Sequence, residues 1–115
     1  MLKNMYNPCG NKNFIYLHPG FPPNEIRIGD FGWIVLAEQS ASTGFVWTLI
    51  PDNSDAYKIV VNFNLHSSTM PGAPGKDFWI IEPIKKGLEV VILEYKRPWS
   101  QEVSKTKNYY LNICP

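Results

Sequence analysis

The chain has 115 residues, which is the size of one domain with a single core and leaves no room for a second catalytic domain. Its 11 basic and 10 acidic residues give a net charge of +1, which argues against nonspecific binding to nucleic acid or to anionic membranes. Tryptophan, tyrosine, proline and glycine are abundant, whereas alanine is scarce and Val, Ile and Thr are common. This composition favours strands over helices.

Glycine, proline and polar clusters divide the chain into short segments with a two-residue period, which is typical of β-strands. The first is Phe14–His18, and we expect the pair Pro22 and Pro23 to end its ladder bonding. Alternating apolar residues predict seven further strands, lettered A to G in chain order: Ile26–Ile28, Phe31–Glu38, Phe45–Ile50, Tyr57–Asn64, Phe78–Glu82, Leu88–Tyr95 and Asn108–Ile113.

The alternation also predicts which side chains fill the core. Trp47, in the third lettered strand, occupies the place where immunoglobulin-like folds bury an aromatic residue. In strand D, one face is expected to carry Tyr57, Ile59, Val61 and Phe63 toward the core. Seven to eight short antiparallel strands therefore predict an all-β, immunoglobulin-like β-sandwich.

The ends of the chain carry further expectations. Residues 13–115 are predicted to form the single domain, with residues 1–12 as a flexible N-terminal extension. No apolar run approaches the about 20 residues of a membrane span, and the polar start differs from a secretory signal. We therefore expect a cytoplasmic protein in which Cys9 and Cys114 are free thiols.

No arrangement of residues indicates catalysis. Cys9 and Cys114 belong to terminal segments, and neither His18 nor His66 has an acid nearby in sequence to orient it. The glycines around Ala73 are not followed by the Lys and Ser or Thr that a phosphate-binding loop needs. We predict no catalytic residue, no metal site and no cofactor.

Three connections are expected to emerge at one pole of an up-and-down sandwich: the BC loop (Gln39–Gly44), the DE loop (His66–Lys76) and the FG loop (Arg97–Lys107). The BC loop has small hydroxylated side chains, the DE loop is rich in glycine and proline, and the FG loop begins with Arg-Pro-Trp. The opposite pole has short turns, so the pattern predicts a scaffold with one binding end. Trp99 is either an exposed contact residue or a lid folded back over the sandwich.

Each of these loops contains a short motif. Ser40-Ala41-Ser42-Thr43-Gly44-Phe45 is followed by Val46-Trp47, the DE loop contains Gly72-Ala73-Pro74-Gly75, and Tyr95-Lys96 leads into Arg97-Pro98-Trp99. In order and spacing, these motifs resemble the NPTTG-F/Y-x-W, GxGG and Y-x-RPW signatures of the chagasin family of papain-like cysteine protease inhibitors. The resemblance covers about Glu25 to Ile113, and the protozoan members, including the amoebic ones, are the expected kin.

The resemblance implies a reversible, tight-binding inhibitor of cathepsin L/B-type proteases whose three loops occlude the active-site cleft. Thr43 and its neighbours would cover the catalytic centre, the DE loop would pair with one wall, and Trp99 would stack on an aromatic residue of the enzyme. The implied partners are papain-like cysteine proteases, without nucleic acid or membrane, and the free inhibitor is expected to be a monomer. The residues implied to bind the protease are Ser40, Ala41, Ser42, Thr43, Gly44, Phe45, Met70, Gly72, Ala73, Pro74, Gly75, Arg97, Pro98 and Trp99.

Two other interpretations remain open from the sequence. The first is an immunoglobulin-like module that binds carbohydrate or another partner that is not a protease, which would require Trp33, Trp79 and Trp99 to form one planar platform. The second is a purely structural domain of a larger complex.

Overall fold

The structure, a computed structural model, describes residues 13–37, 44–50, 54–66 and 75–115. These residues form eight strands: β1 (Phe14–Tyr16), β2 (Gly20–Arg27), β3 (Phe31–Ala37), β4 (Val46–Ile50), β5 (Tyr57–His66), β6 (Gly75–Pro83), β7 (Gly87–Lys96) and β8 (Val103–Cys114). Within these ranges, no helix is long and apolar enough to cross a membrane.

The strands form two four-stranded sheets that enclose one hydrophobic core. The strand order is β1-β3-β6-β5 in the first sheet and β2-β8-β7-β4 in the second. Both sheets contribute to the core, which includes Ile34, Trp47, Ile81, Leu93 and Leu111. The predicted immunoglobulin-like β-sandwich is therefore confirmed.

The N-terminal segment crosses from one sheet to the other. Strand β1 runs parallel to β3, and β2 runs parallel to β8, so these two pairings depart from the antiparallel pattern of the rest. The buried side chain of Asn24 supports the crossing, since its Oδ1 accepts the His18 N–H (3.0 Å) and its Nδ2 donates to the carbonyls of His18 (2.9 Å) and Tyr110 (3.0 Å).

The two prolines of this segment interrupt the pairing without ending the strand. Ladder bonding is interrupted at Pro22 and Pro23 as expected, but the expectation that strand A starts only at Ile26 is wrong, because β2 extends over Gly20–Arg27. The register nevertheless shifts between Gly20 and Asn24, which places both prolines where no N–H donor is required.

Strand β5 contradicts the predicted facing of strand D. Its pairing with β6 shifts register between Ile59 and Val61, so Val60 is an extra residue that reverses the alternation beyond it. Val61 and Phe63 are 38% and 44% exposed, on the outer face of the sheet, and do not fill the core. Only Tyr57 and Ile59, before the bulge, face inward as predicted.

The described ends of the three predicted loops lie at one pole. The pairs Ala37↔Lys76 and Val46↔Lys96 place the ends of the BC loop beside the stems of the DE and FG loops, respectively. The strands extend further than predicted, so Gly75 begins β6, and β8 starts at Val103 rather than at Asn108. We refer to this end of the sandwich as the loop pole.

Candidate functional site

The structure describes six of the fourteen residues predicted to bind a protease. Gly44 and Phe45 end the BC loop, Gly75 starts β6, and Arg97, Pro98 and Trp99 open the FG loop. The others lie outside the described residues: Ser40, Ala41, Ser42, Thr43, Met70, Gly72, Ala73 and Pro74. The described site therefore consists of the FG loop and of the strand ends that carry the other two loops.

The FG loop begins with a hydrogen-bonded turn. The Ser100 N–H donates to the Arg97 carbonyl at 3.1 Å, and the Glu102 N–H donates to the Ser100 Oγ at 3.0 Å. Pro98 occupies the second position of this turn, where its fixed φ angle suits the geometry. The turn therefore holds Trp99 at the tip before any partner arrives.

Trp99 joins the FG loop to the BC loop. Its side chain is 76% exposed, and the edge of its indole lies against Gly44. A Cβ atom on Gly44 would lie 2.7 Å from the Trp99 Cη2, and Gly44 has a φ of 80°, a conformation that favours glycine. Trp99 therefore rests on the backbone of the neighbouring loop with most of its ring exposed, and it is not a lid over the core.

A stack of side chains lies beneath this contact. The Arg97 Cζ lies 4.4 Å from the centre of the Phe45 ring, which stacks on Tyr95 at 5.2 Å between centroids, and Tyr95 contacts Trp47 at 4.8 Å. A cation over an aromatic face contributes about 0.5–1 kcal/mol at an exposed site. The stack fixes the first residue of the FG loop to the last residue of the BC loop and anchors both in the core.

Trp47 also holds the two ends of the BC loop together. Its Nε1–H donates to the carbonyl of Ala37 at 3.1 Å, across the gap between the two sheets. The sequence predicted Trp47 only as a core aromatic. In the structure, the same buried indole, which is 6% exposed, also anchors a functional loop.

The stems of the DE loop are held by a buried carboxylate, which the sequence analysis missed. Asp77 is only 3% exposed. Its Oδ1 accepts hydrogen bonds from the Nδ2 of Asn62 (2.9 Å) and of Asn64 (2.8 Å), and its Oδ2 accepts one from the Trp79 Nε1–H (2.9 Å). We call these four residues the Asp77 cluster. The cluster connects the last residues of β5 to the start of β6.

The electrostatics of the cluster show a balance between two effects. Burial raises the pKa of Asp77 above its ordinary value, while the N–H groups of Asn62, Trp79 and Asn64 act in the opposite direction because they favour the charged form. Burial is the larger of the two effects, so the net direction is upward. Asp77 also pairs with Leu36 of β3, so the cluster lies beside the start of the BC loop as well.

Metal ligands do not gather into a site among the described residues. They contain no group of three or more His, Cys, Asp or Glu side chains that could hold a metal ion. A cavity of about 300 Å³ opens beneath the FG loop, and the described residues that line it are Phe45, Arg97, Ser100, Glu102, Val103 and Ser104. Cys114 carries a free thiol, whereas Cys9 lies outside the described residues.

The three tryptophans of the carbohydrate-binding interpretation do not share a surface. Trp79 is buried, at 8% exposure, and donates to Asp77 in the interior. Trp33 lies on the outer face of the first sheet, beside Phe78, and Trp99 lies at the loop pole. The planar platform that this interpretation requires is therefore not formed by these residues.

Together, the fold and the loop pole define an immunoglobulin-like β-sandwich that holds the ends of three loops at one pole. Comparison with known proteins agrees with this class. The sequence model described as "Chagasin family peptidase inhibitor I42" matches residues 26–113, well over half of the chain. The chain therefore belongs to the chagasin family of peptidase inhibitors. A search of curated protein sequences finds no match.

Solved structures show the same fold. The cysteine protease inhibitor EhICP2 from Entamoeba histolytica has a TM-score of 0.72 at 23% identity, over 93% of this chain and 99% of that one. Amebosin has a TM-score of 0.68 at 21% identity, over 90% and 99% of the two chains. PbICP-C, solved in complex with falcipain-2, has a TM-score of 0.60 at 18% identity, over 90% and 89%.

Proposed function

We propose that this chagasin-family protein inhibits papain-like cysteine proteases reversibly, by inserting the BC, DE and FG loops of the loop pole into the active-site cleft. The observation that carries the proposal is the contact of Trp99 with Gly44, above the stack of Arg97 on Phe45. These contacts fix two of the three loops relative to each other in the free protein. PbICP-C, which has the same fold as this chain, is solved in complex with falcipain-2. That complex supports a cysteine protease as the partner.

Each loop has a separate role in this proposal. The BC loop, Ser40–Phe45, covers the catalytic cysteine and histidine, since its small side chains allow a close backbone approach. The DE loop, from Met70 to Gly75, runs along one wall of the cleft and pairs with it through backbone hydrogen bonds. The FG loop grips the other wall, with Trp99 as the central contact.

Rigidity explains why such a plug binds tightly and is not cleaved. Ordering a mobile loop on binding costs about 0.5–1.5 kcal/mol for each immobilised side chain. Part of this ordering already occurs when the protein folds. It comes from the turn at Pro98, the Trp47–Ala37 hydrogen bond and the Asp77 cluster. The ends of the loops that these contacts hold are then already in place when the protein meets the cleft.

Titration of papain with the purified chain tests the proposal. We expect full inhibition at a one-to-one ratio of loop poles to enzyme, with activity regained on dilution. Papain that keeps its activity at micromolar concentrations of the chain would overturn the proposal.

Trp99→Ala tests the part assigned to the FG loop. We expect a loss of about 2 kcal/mol, or roughly a thirty-fold increase in the inhibition constant, because the exposed indole becomes buried on binding. Leu88→Ala is the matched control, since Leu88 is 75% exposed near the start of β7, at the opposite pole. Equal inhibition constants for Trp99→Ala and the wild type would remove Trp99 from the interface.

Thr43→Asp tests the BC loop. Burying an unpaired carboxylate beside the catalytic centre is strongly unfavourable, so we expect inhibition to be lost while the fold is kept. Thr43→Ser, which retains the hydroxyl group, is the control. Inhibition of papain by Thr43→Asp at the wild-type level would place the BC loop outside the cleft.

A further inference from the structure

The outer face of the first sheet carries a continuous apolar surface that the inhibitory site does not use. We call it the aromatic face, and it consists of residues from all four strands: Phe14, Tyr16, Phe31, Trp33, Val35, Val61, Phe63, Leu65, Phe78 and Ile80. Most of these residues pair directly across strands, as in Phe14↔Phe31 and Phe63↔Phe78.

The rings of the aromatic face stack on one another across the sheet. Phe14 contacts Phe31 at 5.3 Å between centroids, and Tyr16 contacts Trp33 at 5.2 Å. Phe78 is nearly parallel to both Trp33 (6.4 Å, 6°) and Phe63 (4.9 Å, 6°). Three of these pairs are stacked and Tyr16 meets Trp33 edge to face at 62°, so the rings already pack against one another within the aromatic face.

The area of the aromatic face is large for a protein of this size. Phe14, Tyr16, Phe63 and Leu65 are 63%, 58%, 44% and 57% exposed. With about 200 Å² for an aromatic side chain, the more exposed members together present on the order of 500 Å². The half-buried members add to this, so the area lies at or above the upper end of the about 300–600 Å² patches of monomers and below the about 800 Å² that each partner contributes to a standard interface.

Charged residues mark the two ends of the aromatic face. Lys76 lies on β6 at the loop pole, and Glu82 lies six positions further along β6, where it pairs with Lys58 at 3.4 Å. Six residues of a strand span about 20 Å. The second sheet also exposes apolar side chains, Phe21, Val46 and Leu88, but its outer face has charges among them: Glu25, Arg27, Glu94 and Lys96.

We propose that two copies of this chain pack aromatic face to aromatic face, with their strands antiparallel about a two-fold axis that passes near the middle of β6. In this arrangement, Lys76 of each copy lies opposite Glu82 of the other, which also pairs with Lys58 of its own chain, so each end of the interface places one carboxylate between two lysines. The apolar middle is buried against its own copy, as an isologous interface requires. The sequence predicts a free monomer, and the proposed dimer is the alternative to that prediction.

The antiparallel arrangement leaves both inhibitory sites accessible. Because the strand directions of the two copies are opposed, their loop poles point away from each other. The dimer therefore presents two loop poles at its two ends, each free to enter a cleft. The inference goes beyond the proposed function and does not depend on it.

Sedimentation equilibrium of the full chain, from low micromolar to high micromolar concentrations, tests the dimer. We expect the mass to approach twice that of the chain. Phe63→Lys should raise the dimer dissociation constant at least tenfold, since it places a charge in the apolar interface, and should leave papain inhibition unchanged. Leu88→Lys, at an exposed leucine on the outer face of the second sheet, is the matched control and should leave the dimer intact.

Charge reversal tests the orientation of the two copies. Lys76→Glu alone places two carboxylates together at each end of the interface and should weaken the dimer. Because Glu82 also pairs with Lys58, the restoring variant combines Lys76→Glu, Glu82→Lys and Lys58→Glu, which keeps an opposite-charge pair within each chain and should restore the dimer. A wild-type monomer at every concentration, or failure of the triple reversal to restore the dimer, would overturn the proposal. If the chain dimerised only after deletion of residues 1–12, that segment would be the occupant of the aromatic face in the full chain, and this result would also overturn the proposal.

Discussion

Replacing Gly44 with alanine tests the link between the BC and FG loops. The new Cβ would lie 2.7 Å from the Cη2 and 3.3 Å from the Cζ2 of Trp99, closer than unbonded carbon atoms approach. Gly44 also has a φ of 80°, where an alanine is strained by about 1–2 kcal/mol. The indole must therefore move off the BC loop, or the loop must change its conformation.

The two costs affect different measurements. The backbone strain lowers the free energy of unfolding by about 1 kcal/mol or more, as a misplaced side chain in the left-handed region does. A displaced Trp99 no longer rests on the BC loop before binding. The loss of affinity for papain should therefore approach the about 2 kcal/mol expected for Trp99→Ala. Since both substitutions remove one contact, their effects on binding should not add, and the double variant should bind little worse than Trp99→Ala alone.

The assay combines inhibition constants against papain with urea denaturation of the same variants. Gly20→Ala is the matched control, because Gly20 also has a φ of 80° but has no atom within 4 Å of an added Cβ. It should lose stability and keep its inhibition constant. Full additivity of Gly44→Ala and Trp99→Ala, or an unchanged inhibition constant for Gly44→Ala, would show that the contact between the two loops does not contribute to inhibition.

The remaining predictions concern stability. Asp77→Asn sets an amide N–H against the Trp79 Nε1–H and should cost about 1–3 kcal/mol in urea denaturation; wild-type stability would show that the cluster tolerates a neutral partner. Because burial raises the pKa of Asp77 above 3.8, its contribution to stability is full below that pH and is lost as the pH rises through the raised value. Between pH 3.8 and the raised pKa, the free energy of unfolding of the wild type should therefore fall relative to that of Asp77→Asn. Parallel plots of unfolding free energy against pH for the two proteins would show that Asp77 does not cause this pH dependence. Gly32→Ala brings a Cβ within 2.8 Å of the Leu17 Cδ1 and should cost about 1–3 kcal/mol, seen as a lower Tm; an unchanged Tm would show that the leucine repacks freely.

The sequence could predict those parts of the fold that depend on local alternation. Strands β3 and β4 keep an unbroken two-residue period, so the burial of Ile34, Leu36, Trp47 and Leu49 agrees with the pattern. The convergence of the three loops at one pole then followed from strand order alone. The motifs around Gly44 and Trp99 pointed to a family that the family match shows.

The features that escaped prediction depend on a single inserted residue or on contacts between distant segments. Val60 and Val61 are both apolar, so a change of phase between them leaves no mark on the hydrophobic pattern, and strand D appeared regular. The Asn24 crossing joins residues that are 86 positions apart, which no local pattern encodes. For the same reason, the hydrogen bond from Trp47 to Ala37 became visible only once the sheets were in place.

The bulge at Val60 connects the inhibitory end of the molecule with the aromatic face. An unbroken period would point Phe63 inward and the polar Asn62 and Asn64 outward, which would leave Asp77 buried without its amide donors. With the extra residue, the two asparagines turn toward the carboxylate and stabilise the stems of the DE loop. The same change of phase turns Phe63 outward onto Phe78 and completes the aromatic face. The exposed apolar surface is therefore the counterpart of the polar anchor, because every side chain turned inward along β5 requires its neighbour to turn outward.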